Sequence, residues 1–223
     1  MPSASEVAGR LDRVPNPSAP QSGAGLFVAF EGGEGSGKST QVGLLAATLR
    51  AAGREVITTH EPGATPVGVQ IRDLLLHHAQ PLAARAEALL FAADRAHHVE
   101  TVIRPALTSG AVVITDRYVD SSLAYQGLGR GLPLEEVGHL STWATGGLLP
   151  HLTVLLDVPA SIGLARAGGR SAADKLERES LDFHERVRAA YLEQAASDPA
   201  RYLVLDATAA PEQIAKIIAE ALR

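Results

Sequence analysis

From residue 26 onward, short apolar runs alternate with longer stretches of helical spacing. The first run, Leu26-Phe27-Val28-Ala29-Phe30, has no polar alternation, as expected of a strand covered on both faces. Four more runs of strand length follow at 56–59, 112–115, 152–158 and 202–205, separated by helical segments. A βα repeat of this kind predicts an α/β fold: a five-stranded parallel sheet with helices on both faces and ligands at the carboxyl ends of the strands. Residues 1–25 differ. They are rich in Pro, Ser, Ala and Gly, carry Pro15, Pro17 and Pro20, and show no apolar period, which predicts a disordered extension before one domain at 26–223. Leu181, Val187 and Leu192 predict a packing face on a helix over 180–196, and Trp143 is expected in the core.

Composition narrows the partners. The chain has 223 residues, 46% of them hydrophobic, which suits one sizeable core. A net charge of −5 gives no overall basic field, so neither nucleic acid nor an acidic membrane is an expected partner. Cysteine is absent, which excludes disulfides and thiolate zinc sites and fits a cytoplasmic setting. No apolar run reaches membrane-spanning length, so a soluble protein is expected.

The chemistry begins directly after the first strand. Residues 32–40 read Gly-Gly-Glu-Gly-Ser-Gly-Lys-Ser-Thr, a complete G-x-x-x-x-G-K-S phosphate loop between a strand and a helix. This predicts ATP binding by Gly32, Gly33, Glu34, Gly35, Ser36, Gly37, Lys38, Ser39 and Thr40. The glycines let backbone N–H groups turn toward phosphate, Lys38 supplies a point charge, and Ser39 offers a hydroxyl to Mg²⁺. The loop alone leaves a kinase, an ATPase machine and a GTPase switch open. Asn16 is the only asparagine, so the guanine-reading Asn-Lys-x-Asp motif of GTPases cannot occur.

Other polar positions decide among the rest. His60-Glu61-Pro62-Gly63-Ala64-Thr65 follows the second strand and precedes Arg72, and Phe91-Ala92-Ala93-Asp94-Arg95 lies in a long helical pattern. The third strand ends in Asp116-Arg117-Tyr118, followed by Asp120-Ser121-Ser122-Leu123-Ala124-Tyr125-Gln126-Gly127. This set resembles the bacterial thymidylate kinases, P-loop nucleoside monophosphate kinases with a short lid, over essentially 26–223. The resemblance implies phosphorylation of dTMP to dTDP with ATP and Mg²⁺ for dTTP synthesis, and a homodimer.

The residues support that chemistry on their own terms. Phe91 and Arg95 are i and i+4 on one helix face, where a ring can stack on a base and a guanidinium can meet its edge. Ser122 and Gln126 repeat that spacing and can satisfy pyrimidine donors and acceptors. An arginine opposite position 4 favours the O4 acceptor of thymine or uracil over the amino group of cytosine. Arg72 and Arg117 suit bidentate clamping of the acceptor phosphate. Asp116 ends its strand and suits a magnesium role with Ser39. The resemblance implies that Tyr125 lies against the deoxyribose and Glu34 near the sugar 3′-hydroxyl and the metal.

Residues 166–178 combine glycines with Arg166, Arg170, Lys175 and Arg178 and predict a lid. The phosphate loop contains no arginine, and the resemblance implies a catalytic lid arginine beside Lys38 and Arg117: Arg170 is the expected one, with Arg166 next. His60, Ala64 and Lys175 depart from the family pattern, in which Arg, Gly and Arg are usual; Lys175 keeps charge but loses the fork. Gly127, Gly129 and Gly131 are expected to form a turn. The pairs His77-His78 and His97-His98 lack metal-ligand spacing and are expected on the surface.

Overall fold

The computed structural model describes residues 25–78, 80–168 and 175–222. Apart from Gly25, the expected disordered extension lies outside the described residues. Five strands form one sheet: β1 (Leu26–Glu31), β2 (Val56–His60), β3 (Val112–Asp116), β4 (Leu152–Asp157) and β5 (Tyr202–Asp206). Their order is β2-β3-β1-β4-β5, and every pairing is parallel. This is the sheet the apolar runs predict, each strand differing from expectation by one residue at its end.

The connections are helical: α1 (Lys38–Ala51), α2 (Pro66–Leu76), α3 (Ala84–His98), α4 (Arg104–Thr108), α5 (Val119–Ser122), α6 (Leu134–Thr145), α7 (Ala160–Ala167), α8 (Leu181–Ser197) and α9 (Pro211–Ala221). A π-helical turn, Val99–Ile103, joins α3 to α4, and a second, Leu123–Gly129, extends α5. The second corrects one expectation, because Gly127 and Gly129 are helical and only Gly131 lies in the turn that follows.

Strand parity explains the two layers. Leu26, Val28 and Phe30 pack with Val42 and Leu45 of α1 and with Ile214 and Ile218 of α9. Phe27 and Ala29 point to the other face, against Val99, Ile103 and Tyr118. Beside them Tyr125, Leu155, Phe183, Val187 and Tyr191 form a further buried cluster that fixes α8 over the sheet. Because successive strand side chains alternate, Glu31 must follow Phe27 and Ala29 onto that second face. All five strands end in a polar residue, Glu31, His60, Asp116, Asp157 and Asp206, so the sheet's carboxyl edge is a polar rim on an apolar slab.

Two further expectations fail. Trp143 is 81% exposed, because α6 buries the face carrying Val137, Ser141, Ala144 and Thr145 and position 143 falls on the other side. His98 is fully buried rather than on the surface, since α3 turns it inward toward β2, while His77 and His78 are exposed as expected. Among the described residues no helix is long and apolar enough to cross a membrane.

Candidate active site

The phosphate loop leaves the sheet at its centre, after β1. Gly32, Gly35 and Gly37 adopt φ of 138°, 65° and 91°, values an L side chain rarely accepts. Space is as restrictive as torsion at Gly35: a Cβ there would strike the Gly163 carbonyl, and a Cβ on Gly163 would strike the Glu34 carbonyl. Helix α7 therefore seats directly on the loop, an approach that the sequence did not reveal. Lys38 Nζ donates to Gly32 O at 3.1 Å and Gly33 O at 2.9 Å, with Ser36 Oγ at 3.4 Å. Burial pushes the Lys38 pKa down and Arg117 adds to this, while Asp116, Glu34 and Glu31 oppose them. Ser39 Oγ donates to Asp116 Oδ2 at 2.9 Å. A cavity of about 740 Å³ opens here, lined by residues 34–39 with His60, Arg72, Asp116 and Arg117; Thr40 is exposed on α1 and does not line it.

A second cavity, of about 170 Å³, lies beside it under α3 and the π-helical turn after α5. Glu34, Arg72, Phe91, Arg95, Arg117, Ser122, Tyr125 and Gln126, the full set expected to hold the acceptor, all line it. Glu34, Glu61, Arg72, Arg117 and Glu177 border both cavities. Helix α2 begins with Thr65 capping the Gly68 N–H at 2.9 Å, and Arg72 is held further along by Nη1 donating to Pro62 O at 2.8 Å.

Arg117 is held from several sides. It is the only described non-glycine residue with positive φ, at 71°, a sparsely populated conformation for a bulky side chain. Its Nη2 donates to Glu34 Oε1 at 2.6 Å, its Nη1 reaches Gly32 O, Ser121 Oγ and Tyr191 Oη, and its guanidinium lies 5.1 Å over the Tyr125 ring. Tyr125 Oη donates to the same Glu34 oxygen at 2.8 Å. Burial pushes Glu34 up, but Arg117, Lys38 and the Tyr125 hydroxyl outweigh it and hold the carboxyl at about 2. Burial keeps the Tyr125 phenol protonated, well above its ordinary value, and so available as that donor.

Beneath Arg117 sits Glu31, with no exposure at all. Its Oε1 accepts the Tyr118 and Ser121 N–H groups at 2.8 and 3.2 Å, and its Oε2 accepts the Ser121 and Tyr191 hydroxyls at 2.6 and 3.1 Å. Burial, with the Asp120 charge added, pushes Glu31 up to about 7.

A nucleotide-sized phosphate cavity joined to a pyrimidine-sized one suits a nucleoside monophosphate kinase, and comparison with known proteins gives the family. The thymidylate kinase family model matches residues 30–218. The chain belongs to the thymidylate kinase family. It is 55% identical to a thymidylate kinase of Clavibacter michiganensis over 87% of this chain and 92% of that one. The thymidylate kinase of Leifsonia xyli is also 55% identical, over 89% and 94%. Among solved structures, thymidylate kinase from Ehrlichia chaffeensis superposes with a TM-score of 0.74 at 30% identity, covering 90% of this chain and 99% of that one.

In this member of the thymidylate kinase family, Arg95 is more deeply set than its helix position suggests. It is 2% exposed, with Nε on Glu61 Oε2 at 2.7 Å, Nη1 on Ser122 Oγ at 2.9 Å and Nη2 on Tyr118 O at 2.9 Å. His98 bridges Glu61 Oε1 at 2.9 Å and Thr59 Oγ1 at 2.6 Å. Gln126 Nε2 donates to buried Glu87 at 3.0 Å, and Arg130 ties Glu87 to Glu179. Glu31, Glu87, His98 and Gly163 carry no motif of their own, and only their spatial partners reveal them.

His60 stands in register with Asp116 on the rim of the phosphate cavity, its pKa lowered by burial and then by Arg72. Arg166 on α7 is exposed, donates to Ala207 O at 2.9 Å and lines neither cavity. Arg170, the expected catalytic lid residue, lies outside the described residues. Leu176 and Glu177, from the far side of the same segment, line the acceptor cavity.

Proposed function

We propose that the chain transfers the γ-phosphoryl group of ATP directly to dTMP, giving dTDP and ADP for dTTP synthesis. One observation carries the division of roles: Arg72 and Arg117 border both the phosphate-loop cavity and the cavity lined by Phe91, Arg95, Ser122, Tyr125 and Gln126. Two nucleotides bound in these cavities would meet there, which is what an in-line transfer between them requires. An acceptor phosphate oxygen attacks the γ-phosphorus as the bond to ADP breaks, and no covalent enzyme intermediate is formed.

Lys38 neutralises phosphate charge on the donor side, and Arg72 and Arg117 orient the acceptor phosphate. Phe91 stacks on thymine while Arg95, Ser122 and Gln126 address its edge; Tyr125 and Glu34 flank the sugar. The hydroxyl of Ser39 and the carboxylate of Asp116, 2.9 Å apart, form an oxygen donor pair of the kind a hard cation takes, so these two would hold Mg²⁺. The metal supplies charge neutralisation on the transferring phosphates. Arg170 is assigned the transition-state contact from the lid, on the resemblance and the lack of arginine in the phosphate loop. The resemblance also carries cytoplasmic residence and a homodimer into this reading.

The test is transfer from ATP across dTMP, dUMP, dCMP, dAMP and dGMP, with Mg²⁺ present or chelated. The expected result is metal-dependent dTDP formation with dTMP the best acceptor. Equal use of dCMP or a purine monophosphate would overturn the assignment of the second cavity.

A further inference from the structure

The Gln126 amide can face the acceptor cavity with either its oxygen or its nitrogen, and the two choices select different bases. Thymine and uracil carry a donor at N3, whereas cytosine carries an acceptor there. Gln126 is 1% exposed and lines the cavity, and its Nε2 is committed to Glu87 Oε1 at 3.0 Å. Its Oε1 has no hydrogen bond to any described residue, so with the nitrogen turned to Glu87 the oxygen is the acceptor that the amide can offer the cavity. Glu87 is 2% exposed on α3 and lies behind Gln126, outside the cavity lining. Arg130 approaches both Glu87 oxygens at 3.2 Å and is anchored in turn by Glu179 at 2.5 Å, which fixes the carboxylate.

A carboxylate only accepts hydrogen bonds, so turning the Gln126 amide over would set oxygen against oxygen in a buried place and lose a charge-assisted bond. We propose that Glu87 is a positioning residue for base selection: it holds the Gln126 nitrogen so that the amide oxygen faces the cavity, accepting from N3–H of thymine or uracil and rejecting the bare N3 of cytosine. Arg95 reads position 4 of the ring, and Glu87, through Gln126, sets what is read at position 3. This rests on the assignment of the second cavity to the dTMP base.

The experiment compares kcat/KM for dTMP, dUMP and dCMP in Glu87→Gln. A glutamine at 87 can accept from or donate to Gln126, so both amide orientations become available. The expected result is a fall of roughly tenfold or more in the dTMP:dCMP ratio, the loss typical of a charge-assisted bond. The dTMP:dUMP ratio should stay unchanged, because both bases offer the same N3–H and O4, and KM for ATP should be unaffected. General loosening of the cavity would move both ratios and overturn the proposal, as would an unchanged dTMP:dCMP ratio. Glu87→Asp keeps the charge opposite Arg130 but withdraws the oxygen from Gln126, and should move the ratio in the same direction; wild-type discrimination there counts against the proposal. Gln126→Leu separates the two levels. If it leaves the dTMP:dCMP ratio intact, the base does not sit beside Gln126 and the cavity assignment falls with the proposal. If it changes that ratio while both Glu87 variants do not, the role of Glu87 alone is overturned.

Discussion

Arg117 Nη2 lies 2.6 Å from Glu34 Oε1, joining the residue after β3 to the third position of the phosphate loop across 83 residues of chain. The pair ties the two cavities together, since both residues border both. Only part of the guanidinium is committed to Glu34. Its other hydrogen bonds are with the Gly32 carbonyl and two hydroxyls, neutral partners that a phosphate dianion can displace.

Arg117→Lys is expected to keep the fold and lose the reaction. Lysine retains charge opposite Glu34, so the melting temperature should move by only a few degrees, but one ammonium cannot hold Glu34 and a phosphate in fork geometry. A fall of roughly 10²-fold in kcat/KM for dTMP is expected, of the size seen on removing one positioned donor from a reacting site. Steady-state kinetics with a thermal melt checks it; a loss below about threefold would remove Arg117 from the clamp.

Lys38→Ala should nearly abolish turnover while leaving weak ATP binding. The ammonium sits within 3.1 Å of the Gly32 and Gly33 carbonyls, at the centre of the loop where β- and γ-phosphate charge would gather. A variant that kept most of its kcat, with ATP binding measured by calorimetry, would show that the loop does not serve this transfer.

Arg95 needs two substitutions to separate two roles. Arg95→Ala leaves Glu61 buried at 2% side-chain exposure with no arginine or lysine partner among the described residues and only the His98 contact remaining there, so a cost of about 3–5 kcal/mol in stability is expected. Arg95→Lys keeps that charge but loses the fork to Ser122 and the cavity. It should fold, raise KM for dTMP and leave KM for ATP little changed; equal damage to both substrates would make Arg95 a structural residue.

The phosphate loop, the five strands and the residues that line the second cavity are legible because each depends on local chemistry: a spacing of glycines around Lys38, an unbroken apolar run, an i to i+4 pair such as Phe91 and Arg95. What escaped depends on long-range partners. Glu31 looks like the polar end of a strand until parity turns it toward Tyr118 and Tyr191, and Glu87 looks like a helix surface acid until Gln126 and Arg130 meet it. Trp143 is exposed where the sequence predicts core, because apolar character does not say which helix face a residue takes.

Glu31 and Glu34 should give opposite pH signatures. The folded pKa of Glu31 is raised to about 7 from an ordinary 4.5, so the native state binds that proton more tightly than the unfolded chain does. Its contribution is therefore greatest below pH 4.5 and declines as pH rises through about 7. Glu34, lowered to about 2, contributes above 4.5 and loses that contribution as pH falls toward 2. Urea unfolding of the wild type and Glu31→Gln from pH 5 to 8 isolates the first effect. The stability of the glutamine variant relative to wild type should rise by a few kcal/mol across that range, and a flat difference would refute the raised pKa.

Arg166 donates its Nη1 to Ala207 O at 2.9 Å, against the loop after β5, and lines neither cavity. A guanidinium placed there has no reason to meet the transferring phosphoryl group unless α7 itself rearranges, and Gly163 holds α7 tightly on the phosphate loop. The loop contains Lys38 but no arginine, so a guanidinium for the transition state must come from another element. Arg170→Ala should therefore lower kcat by ~10²-fold or more with little change in either KM, because a contact made on closure stabilises the transition state rather than the bound substrates. Arg166→Ala should keep kcat within a few-fold of wild type. Steady-state kinetics on both variants decides between them: a severe loss in Arg166→Ala with near-normal Arg170→Ala transfers the role to Arg166 and requires α7 to move, and normal turnover in both removes the lid arginine from the mechanism.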